Sequence, residues 1–127
     1  MKKRGTAYIF IEDGESLGPL FLDDPYHNKN YLIEIEDVDY EKFNLYFESK
    51  PLHDINRLAK LCLMRYEYSS MEENEILVKS EKIILDYLKN EETIEIQLKP
   101  FIEKLLYLIQ EAIKLNYTVC FDLEHLD

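Results

Sequence analysis

Two groups of carboxylate and imidazole side chains are the places where this 127-residue sequence could bind a metal or carry out acid-base chemistry. The groups are Asp23, Asp24 and His27, and Asp122, Glu124 and His125. The first group lies in a turn-like stretch, where these residue types are common for conformational reasons, and the second resembles a polar tail. Neither has the spacing of an established metal motif, so we predict no metal and no cofactor.

Nucleophilic catalysis requires a nucleophile beside a base, and the sequence contains no motif of that kind. Cys62 falls in a helix-like apolar stripe and Cys120 in a strand-like run, so we expect two buried, unreactive thiols rather than a disulfide. No glycine follows Gly18, which excludes a glycine-rich phosphate loop in front of a helix. We therefore predict that the protein is not an enzyme. The alternative is a site assembled from dispersed residues, with the candidates Asp23, Asp24, His27 and His125.

The charge balance argues against two classes of partner. Lysine and arginine number 15 against 26 aspartate and glutamate residues, which gives a net charge of −11. Such a chain repels phosphate backbones and anionic lipids, so we expect no direct binding to nucleic acid or membranes. No apolar run approaches the roughly 20 residues of a membrane-spanning helix, and the basic start is followed too soon by an acid to form an export signal. We therefore expect a cytoplasmic protein.

The acidic residues are concentrated in one part of the sequence. Residues 12 to 48 contain eleven acids and two lysines, and several tyrosines lie among them. Acids interleaved with tyrosines can pair with the lysines and arginines of a partner while the rings supply contact area. We predict that the partner-binding residues are Asp23, Asp24, Tyr26, Glu36, Asp37, Asp39, Tyr40 and Glu41. The alternative is an acidic face that serves only solubility.

Strands are predicted near the start of the chain. Residues 6 to 12 carry aromatic and β-branched side chains on both alternating faces, which is typical of a central strand. Residues 31 to 36 have a regular two-residue alternation, as a half-buried strand does. Two glycines and two prolines between them predict a long connection over residues 13 to 30, with a short strand at 20 to 22.

Helices are predicted in the middle of the sequence. From Asp39 onwards, aromatic residues recur at the spacing of one helical face. Pro51 suits the first turn of a second helix, whose apolar stripe continues to Tyr66. Ser70 and Glu73 form the pattern of a capping box and predict the start of a third helix.

The last third of the sequence predicts a strand, a helix and a strand. Residues 93 to 98 alternate, a helix starts at Pro100 and closes at Asn116, and residues 117 to 123 form the last strand. Such a crossover makes its two strands parallel. We therefore predict a single domain over residues 1 to 127, of α/β or α+β class, with a mixed sheet of four to five strands, three to four helices and a C-terminal β-α-β crossover.

These features favour a stoichiometric protein inhibitor, such as a bacterial immunity protein or antitoxin whose acidic face neutralises a basic toxin, with a nuclease as the expected toxin. One alternative is an acidic mimic of nucleic acid that blocks a DNA-binding enzyme. Another is a non-catalytic adaptor subunit. An inhibitor should bind one partner with association that slows as salt rises, a mimic should compete with DNA, and an adaptor should show weak salt dependence.

Overall fold

The computed structural model describes residues 5 to 12, 29 to 90 and 94 to 126, which form an α+β domain of four strands and four α-helices. The strands are β1 (Ala7–Glu12), β2 (Leu32–Ile35), β3 (Tyr68–Met71) and β4 (Thr118–Asp122), and the helices are α1 (Tyr40–Phe47), α2 (Lys50–Ala59), α3 (Asn74–Asn90) and α4 (Leu98–Leu115). Within these residues no helix is both long and apolar enough to cross a membrane. The predicted strand at 20 to 22 lies outside the described residues.

The four strands form one sheet in the order β2-β1-β4-β3. β1 lies in the middle of the sheet with both of its faces largely buried, as the apolar alternation of residues 6 to 12 predicted. The strand predicted at 31 to 36 is confirmed as β2, and the strand predicted at 117 to 123 is confirmed as β4. β2 and β3 are the two edges, and each is only four residues long, which limits the backbone exposed for unwanted strand pairing.

Two parts of the predicted fold are wrong: among the described strands every pairing is antiparallel rather than mixed, and residues 94 to 122 do not form a β-α-β crossover. β4 pairs antiparallel with β1 on one side and with β3 on the other, and β1 pairs antiparallel with β2. Residues 94 to 97, which were predicted to be a strand, form an irregular segment and a turn that lead into α4. Residue 93 lies outside the described part of the chain.

The apolar residues at 94 to 98 lie in the turn that leads into α4 and not in a strand. Ile94 and Leu98 pack on the core, whereas Ile96 between them is 84% exposed. The two inward side chains are therefore four residues apart, with an exposed one midway between them, which does not fit the two-residue alternation of a strand. The carbonyl of Glu95 accepts hydrogen bonds from the N–H groups of Leu98 and Lys99 at 2.9 and 3.1 Å, which closes the turn.

The predicted capping box is also wrong, because its serine belongs to a strand. Ser70 lies in β3 opposite Cys120 of β4, and α3 starts later, at Asn74. A serine and a glutamate three residues apart satisfy the capping pattern wherever they occur, so the pattern alone did not exclude a strand. The helix itself is confirmed, with Leu77 and Ile84 on its buried face.

The second predicted helix is shorter than its apolar stripe suggested. α2 ends at Ala59, and Lys60 adopts the left-handed conformation with φ 55° and ψ 46°. The N–H of Leu61 then donates to the carbonyl of Asn56 at 3.0 Å, and the buried Leu61 side chain covers the helix end, as in a Schellman motif. Cys62 therefore follows the helix rather than lying within it, and its side chain is only half-buried.

The predicted start of the first helix near Asp39 and the predicted end of the last helix at Asn116 are confirmed. Asp39 is the N-cap of α1, and its Oδ1 accepts the backbone N–H of Lys42 at 2.9 Å. Asn116 closes α4 in the left-handed conformation, and the N–H of Tyr117 donates to the carbonyl of Ala112 at 2.8 Å. Both ends were predictable because aspartate and asparagine have the side chains that these positions favour.

The main core lies between the sheet and the helices. α4 packs across β1, β2 and β4, α3 packs on α4, and α2 packs on α3. α1 joins this layer through aromatic contacts, with the ring of Phe47 6.0 Å from that of Phe101 and the ring of Phe43 5.0 Å from that of Tyr66. The opposite face of the sheet carries a second, smaller apolar cluster of Phe10, Leu32, Cys120 and Tyr8.

Candidate protein-binding surface

A short acidic loop connects β2 to α1, and one buried residue anchors it. Glu36 and Asp37 are exposed, whereas Val38 is fully buried and its N–H donates to the carbonyl of Gly5 at 2.8 Å. Asp37 has a positive φ of 53°, a conformation that aspartate tolerates better than most residues. The anchored backbone holds the two carboxylates at the surface in a defined position.

The first turn of α1 continues this acidic surface. Tyr40 is 55% exposed and Glu41 is exposed, while Asp39 is used as the helix cap. Lys42 lies among these residues, and its Nζ donates to the carbonyl of Glu36 at 2.9 Å. Lys42 therefore holds the loop against the helix and offsets part of its negative charge.

Strand pairing brings further acids to the same end of the sheet. The register aligns one row of residues across all four strands, in the order Glu34, Tyr8, Asp122 and Tyr68. Directly opposed side chains on one face of an antiparallel pair lie about 5 Å apart, so Tyr8 lies between two carboxylates. The hydroxyl of Tyr68 donates to Glu12 at 3.5 Å, which directs this last ring away from the acidic end.

The pKa of Tyr8 reports the electrostatics of this row. Burial raises the pKa of Tyr8, and the negative charges of Glu34, Asp122 and Glu36 raise it further. The carboxylate of Glu36, in the loop after β2, therefore lies near enough to this row to act on the same ring.

The segment after β4 completes this surface. Asp122 is almost completely buried, and its Oδ1 accepts the N–H of the exposed Glu124 at 3.1 Å. Nε2 of His125 lies 3.6 Å from Oδ2 of Asp122, and the imidazole packs edge-on against Tyr8 with ring centroids 5.6 Å apart. The carbonyl of His125 also approaches Gly5 closely, so the segment after β4 meets the same glycine as the loop after β2.

We call this combined surface the acidic sheet end, which consists of Tyr8, Glu34, Glu36, Asp37, Asp39, Tyr40, Glu41, Asp122 and Glu124. The structure brings together five of the residues predicted to bind a partner, namely Glu36, Asp37, Asp39, Tyr40 and Glu41. The other three, Asp23, Asp24 and Tyr26, lie outside the described residues.

Four members of the acidic sheet end, namely Tyr8, Glu34, Asp122 and Glu124, were not among the predicted partner-binding residues, and Asp122 and Glu124 were considered only for a metal or acid-base site. The alternation of residues 31 to 36 does place Glu34 on one strand face, which is a usable signal. No local signal, however, pairs β1 with β4 across more than a hundred residues of sequence. The contribution of Asp122 and Glu124 therefore emerges only from the strand register.

The other candidate sites from the sequence are less organised. Within the residues that the structure describes, no group of three or more histidine, cysteine, aspartate or glutamate side chains could hold a metal ion. His53 is exposed beside Asp54, with 3.9 Å between Nδ1 and Oδ1. Cys62 and Cys120 are both free thiols, and burial raises the pKa of Cys120 far above that of an ordinary thiol. His27 lies outside the described residues.

Comparison with known proteins gives no relative from which a function could be transferred. No family model matches the chain, and no curated protein and no solved structure matches it either. Function therefore has to be inferred from the geometry and chemistry of this chain.

Proposed function

We propose that the protein is a stoichiometric inhibitor that binds one basic protein through the acidic sheet end. The observation that carries this proposal is that strand pairing and the contact of Val38 with Gly5 bring exposed carboxylates and tyrosines from three chain segments to one end of the sheet, namely β1, β2 with the loop into α1, and the segment after β4. A frame that is already folded loses little conformational entropy on binding, which favours high affinity.

The partner that this surface fits best is a bacterial toxin with a basic groove, and a nuclease is the expected case. A nuclease needs lysines and arginines to hold substrate phosphates, and the carboxylates of the acidic sheet end can occupy the same positions. The exposed ring of Tyr40 adds apolar contact area beside the charges. Complementary charge also accelerates encounter, so an immunity protein or antitoxin of this kind captures its toxin quickly.

We further propose that the protein acts in the cytoplasm and has no catalytic activity of its own. The unbridged state of Cys62 and Cys120 is compatible with a reducing compartment. The imidazole of His125 has one carboxylate beside it, at Asp122, and within the described residues no hydroxyl or thiol nucleophile is paired with it.

The partner can be identified by affinity capture. The full-length tagged protein would be incubated with lysate of its own cell, eluted with steps of increasing salt, and the eluate identified by mass spectrometry. The recovered partner would then be titrated with the protein in a nuclease assay. We expect activity to fall linearly to zero at a one-to-one ratio. Persistence of full nuclease activity at a large excess of the protein would contradict the proposal.

Binding through the acidic sheet end is tested by removing charge without removing structure. The test variant combines Glu36→Gln, Asp37→Asn and Glu41→Gln, and it retains Asp39 because this residue caps α1. The control variant combines Glu73→Gln, Glu95→Gln and Glu103→Gln, which removes the same charge from exposed positions elsewhere. We expect association at low salt to slow by about tenfold in the test variant and by less than about twofold in the control.

The same measurements separate the proposal from the other classes. Equal association rates for the two variants would show that net charge, rather than this surface, drives binding. Competition with duplex DNA for several unrelated DNA-binding proteins would identify a mimic of nucleic acid. A complex whose association is unaffected by salt would identify an adaptor that uses apolar contacts.

A further inference from the structure

A cleft of about 210 Å³ opens between the start of α2 and the last two turns of α3. The lining residues from α3 are spaced at i, i+3, i+4 and i+7, so they share one face of that helix, and this face forms one side of the cleft. The apolar part of the lining consists of Pro51, Ile83 and Tyr87, and the polar part of Lys50, Asp54, Asp86 and Asn90. These residues are all different from those of the acidic sheet end.

The charged side chains around the cleft have a net negative charge. Nζ of Lys50 lies 3.7 Å from Oδ2 of Asp54, and both side chains are substantially exposed, so this ion pair is weak. The carboxylate of Asp86 takes no part in an ion pair or hydrogen bond with the described residues. One ammonium and two carboxylates leave the cleft with a net negative charge.

The end of α3 and the start of α2, which both border the cleft, favour ligands of opposite charge. The last carbonyls of α3, near Asn90, have no partners within the helix and favour a cation. The start of α2 favours an anion, but Pro51 in its first turn has no N–H to offer and Asp54 lies on the following turn. An anion in the cleft would also face two carboxylates at close range, whereas a cation would face a single, displaceable ammonium.

We propose that this cleft binds a primary alkylammonium group. Its methylene stem would pack against Ile83 and Pro51 and beside the ring of Tyr87, and its ammonium would donate to Asp86 and Asp54. A compact ammonium with three divergent N–H donors suits carboxylates carried by two different helices, whereas a planar guanidinium suits a single carboxylate. The volume lies below the roughly 300–1,000 Å³ of pockets for larger ligands, so the cleft accommodates a group the size of a lysine side chain.

The proposal is tested by titrating the isotopically labelled full-length protein with butylammonium chloride at constant ionic strength and recording backbone amide shifts. We expect saturable shifts confined to residues 50 to 54 and 83 to 90, with a millimolar dissociation constant. Butanol, which has a similar shape but no charge, should produce no saturation. The Asp86→Asn variant should bind about fivefold more weakly. Glu103→Gln removes an exposed carboxylate from α4 and should bind like the original protein.

A second probe distinguishes a small free amine from the lysine of another protein. Nα-acetyl-lysine N-methylamide presents the same ammonium on a peptide backbone. If it binds as tightly as butylammonium, the cleft accepts a lysine side chain, and if only butylammonium binds, the natural ligand is a free amine. Shifts that rise linearly without saturation, or an Asp86→Asn variant with unchanged affinity, would overturn the proposal. Neither result bears on the acidic sheet end.

Discussion

Gly5 is the residue on which the acidic sheet end depends most directly. Its carbonyl accepts the N–H of Val38, and its φ of 111° lies in a region that side chains rarely adopt. A Cβ at this position would collide with the backbone carbonyl of His125. The loop after β2 and the segment after β4 therefore come together only because residue 5 has no side chain.

We predict that Gly5→Ala destabilises the protein by about 2 kcal/mol or more, because it combines backbone strain with a backbone collision. Urea denaturation followed by circular dichroism measures the change in the free energy of unfolding. The same variant should also weaken partner binding, since the two acidic segments must separate. A loss below about 0.5 kcal/mol would mean that the approach of His125 to Gly5 is easily relaxed.

At the scale of elements, the left-handed positions determine where helices stop. Lys60 and Asn116 both end helices with positive φ, at 55° and 60°. Asparagine at such a position is a recognisable signal, and the end of α4 was predicted from it. Lysine carries no such preference, so no residue at this point indicated that α2 stops at Ala59.

We predict that Lys60→Gly stabilises the protein by about 0.5–1 kcal/mol, because glycine adopts this conformation without the penalty of a Cβ. Arg57→Gly is the matched control, since it places glycine at an exposed position inside α2 and should destabilise by about 1 kcal/mol. Thermal unfolding of the two variants under the same conditions should move the midpoint in opposite directions. A lower midpoint for Lys60→Gly would indicate that the Lys60 side chain itself stabilises the helix end.

The elements that were predicted correctly have strong local signals, and those that were missed do not. β1, β2 and β4 follow from alternation, α1 from the helical spacing of its aromatic residues, and the end of α4 from the cap chemistry of Asn116. β3 is short, and two of its four residues are serines, so its place in the sheet depends on pairing with β4. The site was predicted only in part for the same reason. The acids of residues 36 to 41 are clustered in the sequence, whereas the pairing of β1 with β2 and β4 has no local signal.

At the scale of the whole molecule, three groups make the free energy of unfolding decrease at alkaline pH. Burial raises the pKa of the Cys120 thiol, and burial with nearby carboxylates raises that of Tyr8. The pKa of Tyr31 is raised mainly because its hydroxyl donates to Glu111 at 3.0 Å. Each group keeps its proton in the folded state at a pH where the unfolded chain has lost it. Their stabilising contribution is therefore complete below about pH 8.5 and is lost as the pH rises further.

We predict that the free energy of unfolding falls as the pH is raised above about 9. Cys120 alone contributes a slope that approaches about 1.4 kcal/mol per pH unit once the unfolded thiol is ionised. Urea denaturation at several pH values measures this slope, which should become shallower in Cys120→Ala. Cys62→Ala keeps the buried thiol and serves as the control. An unchanged slope in Cys120→Ala would assign the alkaline loss to the tyrosines.

The position of β4 has a consequence for how the protein is made. β4 is a central strand that joins β1 to β3, and it follows both of them in the sequence, at residues 118 to 122. β4 is therefore synthesised after both β1 and β3. β1 can pair with it only when more than a hundred further residues have been made. During synthesis β1 has no partner on that side until β4 has been made, so the sheet can close only after residues 118 to 122 have left the ribosome.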